Sequence, residues 1–267
     1  MMRFVPSKSV PFTLVAILLL LPACLAAPTS TPLPTLQPID VAITPSLVPV
    51  QEALHTCALA QPEIALLLTE TTAPFLPVQS ADLSLWFGPP PDTAGFAARL
   101  SDEQILVVVN PANPISKLTA HALRSIFNGE NERWDELGGE KQPVQVWVYP
   151  EGDEISQVFQ EEILAGRPFS SLGRLAPDPS AMLEAVSRDP AAIGLVPKAW
   201  LSQDVKPVLL DQDVQDSLRQ PILALSGAEP QGAVREFLYC LQSGPGQKAL
   251  SEHYQARESP MIPIPTP

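Results

Sequence analysis

Hydrophobic positions along the chain fall into short apolar runs that alternate with stripes of helical spacing. The run 106–109 is dominated by valine, is short enough for a strand covered on both faces, and is stopped by Asn110-Pro111. Thr119 then stands where a helix cap belongs, with Leu118 before it and Leu123 at the fourth helical position, the spacing of a hydrophobic staple. Leu123, Ile126 and Phe127 make one apolar stripe, and Gly129 suits the left-handed residue that ends a helix. The stretch 105–139 therefore predicts a strand, a turn, one capped helix and a loop built around Trp134. It carries no nucleophile and no metal cluster, so it reads as scaffold that positions something else.

Further strands are predicted over 64–69, 83–87, 144–148, 192–196, 205–210 and 222–225, and helices over 51–59, 154–165 and 179–187, with two more near the C-terminus. Mixed alternation of this kind predicts an α/β protein with helices on both sheet faces, arranged in two lobes.

The two ends read differently. Arg3 and Lys8 precede the apolar run 12–21, and Leu21-Pro22-Ala23-Cys24 matches a lipoprotein signal with Cys24 as the acylated residue; an ordinary cleaved signal peptide is the other reading. The run is too short for a comfortable membrane span. Residues 24–50 are rich in Pro, Thr and Ser without a countable period, which predicts an extended tether, and 258–267 reads as a disordered tail. The expected organisation is a signal at 1–23, a tether at 24–50, a binding domain at 51–257 and the tail. Within the domain, lobe 1 would comprise 51–108 plus 205–257, and lobe 2 would comprise 109–204. The protein is expected to be exported and held on the outer face of the cytoplasmic membrane.

Composition narrows the chemistry. The 267 residues carry a formal charge of −13 and no basic patch, which excludes a nucleic-acid partner on electrostatic grounds. With Cys24 assigned to lipid, Cys57 and Cys240 are an even remainder, read either as a disulfide or as two separate buried thiols. There is no Gly-x-Ser-x-Gly elbow, no His-Glu-x-x-His, no Walker loop and no dinucleotide glycine fingerprint, and His55, His121 and His253 are scattered. No catalytic residue, metal or cofactor is expected. Aromatics are too sparse for a stacking platform, against sugar or single-strand binding.

VVVNPANP followed by SKLTAHALRSIFNGENERWDELGG is similar to the hinge and following segment of phosphate-type extracytoplasmic substrate-binding proteins of ABC transporters. AVSRDPAAIGLVP and REFLYCLQSGPGQKALSEHYQ extend the resemblance, which spans about Asp82 to Tyr254. It implies a two-lobed type 2 periplasmic-binding-protein-like fold, with mixed sheets and a strand hinge near Val107 to Asn110. Such a protein closes as a monomer over a small solute, phosphate or another oxyanion, and presents it to an ABC permease. In the resembled fold the last helices return to the first lobe, which would bring Cys57 and Cys240 together.

The resemblance also implies an oxyanion site made of helix N-termini and Ser/Thr hydroxyls, where unpaired N–H groups and the helix dipole favour negative charge. Three loops can be compared with it. Glu70, Thr71 and Thr72, after the run 64–69, lack the glycine-rich turn and full helix expected there. Asp153, Glu154 and Ile155 stand where the pattern has Ser-Gly-Thr, with Ser156 next; Asp153 is a good N-cap and would take the N–H groups a phosphate needs. A carboxylate about 4 Å from a bound anion costs roughly 4 kcal/mol at an effective dielectric near 20. In the third loop, Asp178 caps and Pro179 fits the first helical position, with Ser180 beside it. Thr71, Thr72, Asp153, Glu154, Ser156 and Ser180 are the candidate ligand-binding residues, and Arg99 and Arg174 the candidate anion clamp. The expectation is a binding protein whose ligand loops have diverged. The alternative is a tethered interaction or regulatory module, which a cleft filled by its own side chains would favour.

Overall fold

The computed structural model describes residues 35–254, together with Met1. The signal segment 1–23, Cys24 and the tail 258–267 lie outside the described residues, Met1 apart. The first element overturns part of the tether. Strand β1 (Gln37–Ile43) lies between β2 (Ile64–Glu70) and β3 (Leu83–Phe87), parallel to both. Ile39, Val41 and Ile43 are fully buried. A 3-10 turn over Pro45–Val50 follows, burying Leu47 and Val50, and runs directly into helix α1 (Gln51–Ala60). Residues 37–50 thus belong to the folded domain, with Ile39, Val41, Ile43, Leu47 and Val50 in its core. The apolar alternation at Ile39, Val41 and Ile43 was present in the sequence, masked by flanking prolines. Pro38 is tolerated because β1 pairs only with β2 at that point, so no second ladder bond is lost.

β4 (Phe96–Val109) is the longest strand and organises the sheet. Its first part, to Gln104, pairs antiparallel with β9 (Arg219–Ser226), which in turn pairs with β3. From Ile105 onward it pairs instead with β7 (Ala192–Pro197). β5 (Gln145–Val148) lies parallel to β7, and the two-residue β6 (Arg174–Leu175) lies parallel to β5. The short β8 (Lys206–Pro207) flanks the end of β4, so the strand expected over 205–210 contracts to two residues. One curled, nine-stranded mixed sheet results, in the order β2-β1-β3-β9-β4-β7-β5-β6 with β8 off the path. Its partner changes between Gln104 and Ile105, where the backbone also returns: the Ile105 N–H donates to the Leu218 carbonyl at 3.0 Å. The α/β class and two-lobed architecture expected from the sequence are those observed, with the hinge a few residues before the Asn-Pro pair.

The signature 105–139 folds as its pattern predicts. Thr119 caps α2 (Ala120–Phe127) by accepting from the Ala122 N–H at 3.2 Å, and Leu118 and Leu123 are both buried. Gly129 ends that turn at φ 81°. Trp134 is fully buried and donates its indole N–H to the Ala191 carbonyl at 2.9 Å, which locks the loop onto the entry to β7. Asn110 gives the motif its physical meaning: its amide donates to the carbonyls of Val186 (3.1 Å) and Ser187 (2.6 Å), at the end of α4 (Pro179–Arg188). Those carbonyls have no partner within the helix, so the Asn110 amide caps the C-terminus of α4 and ties it to the hinge strand.

On the other half, after the short α5 (Gln212–Ser217), α6 (Gly232–Gln242) and α7 (Gly244–His253) pack against α1. Cys57 on α1 and Cys240 on α6 form a disulfide, with Cα atoms 5.8 Å apart. It joins the start of the folded region to its end.

Candidate functional site

Strand direction decides where a site can be. β1, β2 and β3 are parallel, so their C-terminal ends lie on one edge of the first half. β5, β6 and β7 are parallel to one another and antiparallel to β4, so their C-terminal ends point back toward that edge. Loops following the strands therefore meet across the hinge, as binding loops of open α/β sheets do at carboxyl ends of strands. The Thr44-Pro45-Ser46 turn after β1 faces α3 (Glu154–Glu162), which follows β5. The halves are in contact there: a Cβ on Gly152 would come within 2.7 Å of Pro74, and one on Gly88 within 3.1 Å of Val158.

Glu154 lies at the centre of this contact. It is 1% exposed, and its Oε1 accepts a hydrogen bond from the Ser46 hydroxyl, which is itself 2.9 Å from the hydroxyl of Thr44. Its Oε2 has no hydrogen-bond partner. The Ser46 carbonyl accepts from the Trp200 indole N–H at 2.8 Å, so the turn is held from both sides. Trp200 belongs to a 3-10 turn, Lys198–Trp200, that is pinned in turn by Glu103 on β4: Oε2 accepts from the Ala199 N–H at 3.1 Å, and Oε1 from the Gln104 N–H at 2.6 Å. Beside Glu154 opens a cavity of about 410 Å³, lined by Trp86, Phe87, Glu154, Gln157, Val158 and Gln220 among others.

The N-terminus of α3 is satisfied internally. Asp153 Oδ1 accepts from the N–H groups of Ile155 (2.9 Å) and Ser156 (3.2 Å). Burial pushes the Asp153 carboxyl up to about 8, the neighbouring Glu154 adds to this, and the two N–H bonds pull only partly back. Burial also raises Glu154, opposed by the nearby hydroxyls of Ser46 and Thr44. Asp153 thus retains its proton near neutrality, and Glu154 is shifted in the same direction. This corrects the charge argument made from sequence: a neutral carboxyl does not repel an anion by the roughly 4 kcal/mol of an ionised one. At this helix start the Ile155 and Ser156 N–H groups are taken by Asp153, and the Ser46 hydroxyl by Glu154. Burial likewise raises Glu103 to about 7, against the backbone N–H groups of Gln104, Ala199 and Lys198.

The structure places the sequence candidates unevenly. Asp153, Glu154 and Ser156 share the start of α3. The Ser156 hydroxyl is 3.5 Å from the Tyr149 carbonyl, and the Tyr149 hydroxyl donates to Leu195 at 2.8 Å. Thr71 and Thr72 follow β2 at the rim; the Thr71 N–H is used by the Ile43 carbonyl at 3.0 Å, and Thr72 is exposed. Ser180 is exposed on α4, whose N-terminus Asp178 caps through the Ala181 N–H at 2.8 Å. Arg99 pairs with Asp102 on its own strand, and the Arg174 guanidinium lies 5.7 Å from the Trp147 ring centroid. Neither arginine is bonded to Glu154. Sequence reasoning missed Thr44 and Ser46. The hydroxyl-bearing turn and following helix sought at 70–72 exist after β1 instead, because β1, and not β2, supplies this edge of the cleft. His55 and His121 are exposed, and His253 is 2.9 Å from Glu52, so no two histidines share a site. Among the described residues no cluster of three or more His, Cys, Asp or Glu could hold a metal.

Comparison with known proteins agrees with this geometry. Residues 102–219 match the model of a PBP superfamily domain. The phosphate-binding protein PstS of Bacillus subtilis (strain 168) is 26% identical over 169 residues, 58% of this chain and 56% of that protein; the match thus spans little more than half the relative's length. Among solved structures, a putative phosphate ABC transporter substrate-binding protein with bound phosphate, from Clostridium perfringens, superimposes with a TM-score of 0.75 at 18% identity, covering 82% of this chain and 98% of that one. An ABC-type phosphate transport receptor from Vibrio cholerae gives a TM-score of 0.67 at 19% identity, covering 80% and 98%. The fold is that of two-lobed periplasmic binding proteins.

Proposed function

We propose that the protein is an extracytoplasmic solute-binding component of a phosphate-type ABC transporter, capturing a small oxyanion between Thr44-Pro45-Ser46 and the start of α3. The observation that carries this reading is the meeting of two hydroxyls, from the turn after β1, with the first residue of α3, from the other side of the strand hinge, at one buried point. Ligand contacts from both halves would stabilise the closed arrangement, and a membrane permease would recognise it. Export as a lipoprotein acylated at Cys24, with the protein monomeric on the outer face of the membrane, completes the reading. No cofactor and no catalytic step is invoked.

Isothermal titration with phosphate, sulfate and molybdate tests it. One-site, saturable binding of at least one of them is expected; no binding of any up to millimolar concentration overturns it. Metabolic labelling with a fatty-acid analogue, lost in C24A, tests the anchor. The second reading, an interaction module that keeps the fold without a solute, is favoured by one observation, the Glu154 carboxyl in the cleft, and the comparisons do not favour it.

A further inference from the structure

The oxyanion-type point of the cleft already contains an oxygen acid. One oxygen of Glu154 accepts from Ser46, whose hydroxyl is paired with that of Thr44. The other oxygen is buried without a partner, at a place where an unmade hydrogen bond is costly. The side chain belongs to the first residue of α3, so its carboxyl is held beside a helix start. It also lines the cavity framed by Trp86 and Gln157, which lies on the side a displaced carboxyl would move toward.

We propose, resting on the oxyanion-binding reading above, that Glu154 is a tethered competitor: its carboxyl occupies the anion position against Ser46 and Thr44, and a solute binds only by displacing it toward the cavity. The side chain would then set selectivity. A solute must satisfy both hydroxyls better than one carboxyl oxygen does, which a tetrahedral oxyanion with several acceptor oxygens can do and a simple monocarboxylate cannot. Because the competitor is covalently attached, its effective concentration is high and constant, and its removal tightens binding without adding any contact. Burial shifts the Glu154 carboxyl upward, toward the proton-bearing form, which fits this role because an ionised carboxylate left behind in the closed cleft would be costly.

The experiment is a phosphate titration of the full-length protein and of three variants, with thermal unfolding to establish that each folds. E154A removes the competitor, and E154D shortens it by one methylene so that it no longer reaches Ser46. E154Q keeps its length and an acceptor oxygen. The expected pattern is tightening by about tenfold or more in E154A and E154D, and less in E154Q than in either. E154D supplies the comparison if the cavity left by alanine unfolds that variant. Measurable binding by the parent with unchanged or weaker binding in E154A and E154D would overturn the competitor and leave the binding-protein reading intact. Absence of phosphate, sulfate and molybdate binding in the parent up to millimolar concentration would overturn that reading, and the competitor with it.

Discussion

The Trp200 indole N–H donates to the Ser46 carbonyl at 2.8 Å, across 154 positions of sequence, and so fixes the turn whose hydroxyl meets Glu154. W200F preserves most of the ring packing and deletes this bond. The expected cost is about 1 kcal/mol, a fall in Tm of roughly 2–4 °C. An unchanged melting temperature would show that the bond does not hold the turn.

The hinge depends on Asn110. In N110D a carboxylate faces the carbonyls of Val186 and Ser187, and both acceptors lose their donor. Loss of about 2–3 kcal/mol is expected, read as a lower urea midpoint at constant m-value. A stability close to the parent's would mean that the Asn-Pro motif is retained for another reason.

Stability should fall as pH rises through neutrality. Carboxyls of the unfolded protein ionise near 4. In the folded protein burial holds the proton on Glu103 to about 7 and on Asp153 to about 8. Between these limits the folded state binds more protons, so the stability present at low pH is lost as pH climbs through the folded values. Glu103 alone accounts for up to about 3 kcal/mol. The urea midpoint is expected to be higher near pH 5 than near pH 8, with E103Q flattening that slope. A flat midpoint across this range in the parent would contradict the burial of these acids.

The Cys57–Cys240 bridge closes a loop of 183 residues between α1 and α6. Reduction, or C57A/C240A, is expected to lower stability by about 2–5 kcal/mol. Free-thiol counting by mass spectrometry before and after reduction checks it, and two reactive thiols in the untreated protein would remove the bridge.

Gly246 marks how tightly this end is packed. A methyl group there would lie 2.4 Å from both the Cys57 sulfur and the Cys240 carbonyl oxygen. G246A should cost about 1–3 kcal/mol through overpacking while leaving the disulfide formed. A Tm equal to the parent's would show that α7 can shift away.

Much of the architecture is local and therefore legible in one dimension. The Thr119 cap, the Leu118 and Leu123 staple, the Gly129 stop and the caps at Asp153 and Asp178 depend on residues within a few positions of one another. Such interactions determine helix starts and stops whatever happens elsewhere in the molecule. The order of strands and helices likewise determined the α/β class. β1 escaped because its alternation is five residues long and sits among prolines, and only pairing with β2 and β3, across more than twenty and forty residues, makes it a strand. The candidate site was half legible for the same reason. Asp153, Glu154 and Ser156 were found as a capped helix start. That Glu154 would meet Ser46, 108 residues earlier, was decided only when the strand ends of the two halves faced each other. Sequence determined which helices would cap themselves; tertiary structure decided that Glu154 would be buried against the Ser46 hydroxyl, because burial and partner choice depend on what the fold brings alongside.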